Sequence, residues 1–184
     1  MDCLWATEHV NEGYHLAANM GNIGYITTKH AEIIHDNALI NANILDACVK
    51  NKVKRVFFSS SACVYPGFKQ MQPGIAGLRE EDAYPAEPDT FYGWEKLAME
   101  QMMKAYQQDY GLEVRIARFH NIYGPFSQYK DEKAKAPAAL CYNVVMASDP
   151  GTIAIWGDGR QTRSFCYVDD AVWGIVALME SDYD

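Results

Sequence analysis

The chain has 184 residues, 49% hydrophobic and 22% charged, with a formal net charge of -8 at pH 7. That composition suits one packed domain and excludes a disordered tail, and its acidic balance argues against a nucleic-acid surface, which needs clustered Lys and Arg. No run approaches the ~18 apolar residues that span a bilayer, and Met1-Asp2-Cys3-Leu4-Trp5 lacks a basic-then-apolar signal pattern, so the expectation is a soluble, cytoplasmic protein with no membrane partner.

Short apolar runs alternate with longer stretches of helical period, in a β-α-β-α-β pattern. Gly13 to Ala18 reads as a buried strand. His35 to Lys50 reads as a helix, with Leu39, Asn43, Ala47 and Lys50 on one face and the apolar Ile40, Ile44 and Cys48 beside it. Val53 to Ser59 is the next strand, and Pro66 to Pro88 a long excursion with little periodicity. Asp89 is placed to cap a helix from about Thr90 to Tyr110, in which Leu97, Ala98, Met102 and Tyr106 recur at helical spacing and which Gly111 stops. Glu113 to Arg118 forms a third strand.

Strands joined by helices of this length lie parallel, which predicts an α/β fold: a doubly wound sheet covered on both faces, with ligands at the carboxyl ends of the strands. The stretches Ala17 to Gly24, Ser59 to Tyr65 and Phe119 to Pro125 fall there, rich in Gly, Ser and Asn. The five cysteines, Cys3, Cys48, Cys63, Cys141 and Cys166, include no Cys-x-x-Cys pair, so neither a disulfide framework nor a metal site is expected.

Tyr92 and Lys96 stand four apart near a helix start, which projects both from one face. An ammonium beside a phenol lowers the phenol pKa and makes a phenolate base accessible. About thirty residues earlier, Ser59-Ser60-Ser61-Ala62-Cys63-Val64-Tyr65-Pro66 places hydroxyls at a strand end, where a serine could hold an oxygen being oxidised.

A strand, a Ser-rich turn and a Tyr-x-x-x-Lys helix in this order resemble the extended short-chain dehydrogenases/reductases, the NAD-dependent epimerase/dehydratase family. Further stretches narrow the resemblance to epimerases of nucleotide sugars: Tyr65-Pro66, Pro85-Ala86-Glu87-Pro88, Arg118-Phe119-His120-Asn121-Ile122-Tyr123-Gly124-Pro125, Lys135-Ala136-Pro137-Ala138-Ala139, and Trp156-Gly157-Asp158-Gly159-Arg160-Gln161-Thr162-Arg163-Ser164-Phe165. The resemblance implies a Rossmann-like fold, NAD as cofactor and a GDP-sugar substrate. It also implies 3,5-epimerisation of GDP-mannose to GDP-L-galactose through a transient 4-keto sugar, by an enzyme that is a homodimer when full length.

On matching positions the resemblance assigns Tyr92 to the C4 hydroxyl proton, Lys96 to the cofactor ribose, Ser61 to the reacting oxygen, and Cys63 and Lys135 to the acid and base of inversion. Ala17, Tyr92, Lys96 and Phe119 are implied at the cofactor. Gly21, Ser61, Ala62, Cys63, Asn121, Ala134, Lys135, Ala136, Gln161, Thr162 and Arg163 are implied at the substrate. Gly21 would let backbone approach the hexose, Arg163 suits a diphosphate through its paired donors, and Lys133 is the neighbour set aside. His120 is taken as a positioning residue, while His9, His15, His30 and His35 receive no role.

The family begins with a strand, a Gly-rich turn and a helix that receive the cofactor pyrophosphate. This chain lacks that start, so the expectation is a fragment without the first βαβ unit and without the smaller C-terminal substrate domain, inactive by itself. The substrate-binding part is expected to begin at about residues 126–165. Asn19 and Asn22 stand where these epimerases tend to carry Asp and Gly, and Asn143 where a basic residue is expected. Two rival readings stay open: an NADPH-consuming epimerase/reductase of GDP-4-keto-6-deoxymannose, and a non-catalytic remnant.

Overall fold

Val56, Phe57 and Phe58 are consecutive, apolar and buried, so a strand made of them needs cover on both faces. The computed structural model describes residues 3–71, 77–131, 133–155 and 157–183. In chain order its helices and strands are α1 (Cys3–Ala6), β1 (Glu12–His15), α2 (Ile23–Ile26), α3 (His30–Lys50), β2 (Arg55–Ser61), α4 (Phe91–Tyr110), β3 (Glu113–Phe119), β4 (Asn121–Tyr123), α5 (Ala136–Met146), β5 (Phe165–Tyr167) and α6 (Val168–Glu180). The strands β1, β2 and β3 form one parallel sheet in that order, and β4 and β5 a separate parallel pair.

One face of the sheet carries Val56, Phe58 and Val114, buried against Leu45 and Cys48 of α3 and Met99 and Met103 of α4. The opposite face carries Arg55, Phe57 and Arg115. There the Phe57 ring lies between those of Tyr14 and Phe119, at centroid distances of 6.5 and 6.0 Å. Arg55 and Arg115 donate to the carbonyls of Met179 and Ser181 at the end of α6. Helices therefore cover both faces, the doubly wound arrangement expected from the alternating pattern.

The elements differ from the sequence expectations at their edges. Only Glu12 to His15 find partners on β2, so the strand expected over Gly13 to Ala18 starts one residue earlier and leaves the sheet at Leu16. The second strand runs through Ser61 because Ser59, Ser60 and Ser61 all pair with β3. α3 starts at His30 rather than His35, and its inner face is Ile33, Asn37, Asn41, Leu45 and Cys48, while Leu39 and Asn43 are exposed. Two asparagines sit where an apolar stripe is sought, which shifts the apparent phase of the helix. Thr90, not Asp89, caps α4: its hydroxyl accepts from the Gly93 amide at 3.1 Å, and Asp89 stays exposed. Gly111 ends that helix at φ 68°, as expected of a left-handed C-cap.

The excursion after β2 closes on itself. Pro66 bridges Pro88, and the Gly67 amide donates to the Glu87 carbonyl at 3.3 Å. Arg118 anchors the loop to the sheet by donating to the Glu80 carbonyl at 2.6 Å. No described helix is long and apolar enough to cross a membrane.

Candidate active site

β2 delivers Ser59, Ser60 and Ser61 to its carboxyl end, and residues 62–64 then turn through one 3-10 helix. The Ser61 hydroxyl accepts the Cys63 amide at 3.2 Å, which fixes the turn locally. α4 starts directly against it: a Cβ at Gly93 would stand 2.1 Å from the Cys63 carbonyl oxygen. Glycine is what allows that approach, and it brings Tyr92 close to Ser61 and into the cluster that Cys63 packs against.

One helical turn further, Lys96 is 1% exposed. Its Nζ donates to the Ser59 carbonyl at 3.0 Å and stands 4.6 Å from the Phe58 ring centroid and 5.8 Å from that of Tyr92. Burial lowers the Lys96 pKa, and adjacent Glu95 opposes that shift. The sequence expectation of a depressed Tyr92 pKa is corrected here: the phenol is raised, first by burial and then by Cys63 and Glu95, with the Ser61 hydrogen bond pulling the other way. The physical reason is placement, because the ammonium is tethered to Ser59 over the Phe58 ring while the phenol is almost dehydrated.

Lys135 arrives at this group from a distant part of the chain. It is the N-cap residue of α5, and its Nζ donates to the Gly21 carbonyl at 2.9 Å. Burial lowers its pKa, with Cys63 near enough to oppose the shift. Lys133 stands with Nζ 5.5 Å from the ring centroid of Tyr25, which shares a cluster with Tyr92. Ala134 is buried, its amide bonded to the Asp131 carbonyl, and Ala136 opens α5 ahead of Pro137. A Cβ at Gly21 would meet the Tyr25 side chain at 2.7 Å, so packing alone keeps this residue small.

The remaining candidates are less tightly gathered. Ala17 lies exposed just beyond β1, and Phe119 ends β3 beside Ser61 in the ladder. Ala62 turns away to pack with the cluster of Val64, Tyr65, Ala83 and Leu97. Asn121 donates to the Ser164 carbonyl at 3.0 Å, which ties β4 to the segment before β5. Gln161, Thr162 and Arg163 are exposed in that segment, and Arg163 donates to the Thr162 carbonyl at 2.7 Å. His120 is exposed, and Trp156 of the same motif lies outside the described residues.

His15, given no role above, and Asn37, Asn41 and Glu95, which no motif singled out, are all buried behind the site. Glu95 accepts from the side-chain amides of Asn37 at 3.3 Å and Asn41 at 2.7 Å, and Asn41 Oδ1 lies 2.6 Å from His15 Nε2. The available signal was the spacing of Asn37 and Asn41, one turn apart within the inner face of a long helix.

The sequence profile of the family described as "NAD dependent epimerase/dehydratase family" matches residues 2–184. The chain is 47% identical over 182 residues to GDP-mannose 3,5-epimerase of Arabidopsis thaliana, covering 99% of this chain and 48% of that protein. It is 28% identical over 180 residues to GDP-L-fucose synthase of Escherichia coli (strain K12), covering 96% and 55% respectively. Among solved structures it superposes on UDP-N-acetylglucosamine 4-epimerase from Methanobrevibacter ruminantium M1, in complex with UDP-N-acetylmuramic acid, with a TM-score of 0.85 and 26% identity, over 100% of this chain and 56% of that one. The chain thus spans about half the length of the curated relatives it matches.

Proposed function

The chain belongs to the NAD dependent epimerase/dehydratase family, and from that membership we propose that it is the catalytic portion of a nucleotide-sugar epimerase inverting C3 and C5 of a GDP-mannose-type substrate. The observation that carries the reading is the gathering beyond the end of β2 of Tyr92, of Cys63 packed in its cluster, and of Lys135, tethered to the Gly21 carbonyl and near enough to Cys63 to feel its charge. The 47% identity to a GDP-mannose 3,5-epimerase, against 28% to a GDP-L-fucose synthase, supports this substrate over that of the reductase. The same reading takes a cytoplasmic homodimer as the working form and residues from about 126 onward as the start of the substrate-binding part.

The residues present suit the nicotinamide and ribose half of NAD. Lys96 is a buried ammonium that, among the described residues, donates only to the Ser59 carbonyl, so donors remain for a diol. Ala17 and Phe119 flank the same strand ends. Bound NAD supplies the hydride acceptor that turns a C4 alcohol into a ketone.

Tyr92 accepts the C4 hydroxyl proton, oriented by Ser61. Because burial raises its pKa, the step relies on Ser61, the one neighbour among the described residues that pulls the phenol down, to make the phenolate accessible. The ketone acidifies the hydrogens at C3 and C5, since their removal leaves an enolate. Inversion then needs an acid and a base on opposite ring faces, the roles of Cys63 and Lys135. A lysine pKa lowered by burial favours proton exchange nearer neutrality. Asn121, Gln161, Thr162 and Arg163 serve the sugar and diphosphate, while Gly21, Ala134 and Ala136 shape the wall that carries Lys135.

The test is a chimera in which this chain replaces the matching stretch of the Arabidopsis enzyme, incubated with GDP-mannose and NAD in heavy water. Deuterium at C3 and C5, suppressed by Cys63→Ala, is the expected result. A chimera that folds and binds NAD yet leaves the recovered sugar unlabelled would defeat the proposal.

A further inference from the structure

Glu95 sits in the Tyr92-x-x-x-Lys96 turn but faces away from the reacting group, 2% exposed. A carboxylate there is costly to bury unless its oxygens are hydrogen-bonded. Glu95 Oε1 accepts from Asn41 Nδ2 at 2.7 Å, and Oε2 accepts from Asn37 Nδ2 at 3.3 Å. The far sides of both amides face the chain leaving β1. Asn37 Oδ1 accepts the Asn19 amide at 2.6 Å, Asn37 Nδ2 also donates to the Asn19 carbonyl at 3.0 Å, and Asn41 Oδ1 meets His15 Nε2 at 2.6 Å. The stretch 16–24 has left the sheet ladder and is held at Asn19, by Asn37 through the backbone and by Asp36 and Tyr25 through the side chain, and it carries the Gly21 carbonyl that receives Lys135 at 2.9 Å.

Burial raises the Glu95 pKa, opposed by Lys96 and by both asparagines, and with an amide donating to each oxygen the side chain is held as a carboxylate, which only accepts. It therefore obliges both asparagines to present their NH₂ groups toward α4 and their carbonyls toward β1 and the Asn19 amide. An amide at position 95 could accept from one asparagine but would donate to the other. A flip of Asn37 would put an NH₂ group against the Asn19 N–H, whereas a flip of Asn41 would oblige the His15 ring to stop donating from Nε2 and accept there instead.

We propose that Glu95 is a positioning residue: an acceptor-only carboxylate that orients Asn37 and Asn41 and, through them, holds residues 16–24 and the Gly21 carbonyl that seats Lys135. Its consequence for catalysis rests on the reading of Lys135 given above, but the test uses no turnover and so fails or succeeds independently of that reading.

The experiment is residue-resolved amide hydrogen exchange on the 184-residue chain. Glu95→Gln is expected to speed exchange of the Asn19 amide about ten-fold, the loss of one charge-assisted hydrogen bond, while amides of β2 and β3 keep their rates. The pair Glu95→Gln with Asn41→Asp restores complementarity, because the new side-chain amide donates to the new carboxylate, which also accepts from His15. Asn19 protection should return to within about two-fold of the unsubstituted chain. An unchanged Asn19 rate in Glu95→Gln, an equal acceleration throughout β2 and β3, or a double variant no better than the single one overturns the proposal. If Glu95→Gln alone does not fold, the double variant decides: folding with protected Asn19 supports the assignment, and failure to fold overturns it.

Discussion

Gly93→Ala sets two effects against each other at one atom. Alanine is the better helix former by about 1 kcal/mol in a helix interior, and by less in a first turn. The added Cβ, however, would lie 2.1 Å from the Cys63 carbonyl oxygen, 2.9 Å from Pro88 Cβ and 3.0 Å from the Cys63 carbonyl carbon. Ordinary contact begins at 3.4 Å, so the turn at residues 62–64 or the start of α4 must give way by roughly 1 Å, and the obstructing atoms are backbone that cannot rotate aside. Overpacking of this kind costs about 1–3 kcal/mol, here toward the upper end, and leaves a net loss near 2 kcal/mol. For a chain of this size that corresponds to a fall in Tm of about 4–8 °C by calorimetry. The same displacement separates Cys63 from Tyr92, so deuterium incorporation by the chimera should fall more steeply than stability does. A Gly93→Ala chain with an unchanged or raised Tm would refute the reasoning, since helix propensity would then have outweighed the contact.

Arg118 grips Glu100 with a fork at 2.8 and 2.6 Å, and Glu100 is 2% exposed. Arg118→Met leaves that carboxylate buried and uncompensated, an expected loss of about 3–5 kcal/mol by urea denaturation, and adding Glu100→Gln should recover much of it. Burial lowers the Lys135 pKa while Cys63 raises it. In ¹³C-dimethylated protein, Lys135 should therefore titrate below the ordinary lysine value, and lower still in Cys63→Ala; a rise in that variant would contradict the arrangement. Because the folded-state value is depressed, the accompanying penalty to folding is full below it and fades as pH climbs to the ordinary value, so Lys135→Met should help stability most at neutral pH. Tyr92→Phe should keep the fold and NAD affinity of the chimera while lowering epimerisation by about 10²–10⁴-fold; a smaller loss would remove Tyr92 from the role of base.

The alternation of short apolar runs with helical stretches was enough to establish a parallel, doubly wound sheet, because a strand such as Val56-Phe57-Phe58 has no other way to cover both faces. Local spacing likewise placed Tyr92 and Lys96 on one helix face and hydroxyls at the end of β2, and Gly111 stopped α4 through its own backbone freedom. Tertiary structure decided what spacing does not encode. That Lys135 rather than Lys133 reaches the Gly21 carbonyl depends on where α5 begins, a contact across more than a hundred residues. The sign of the Tyr92 shift depends on dehydration and on a tether that points the Lys96 ammonium at Ser59, neither of which a one-turn separation specifies. Glu95, Asn37 and Asn41 escaped a search for apolar periodicity because a buried polar group becomes recognisable only once its partners, drawn from different elements, are all in place.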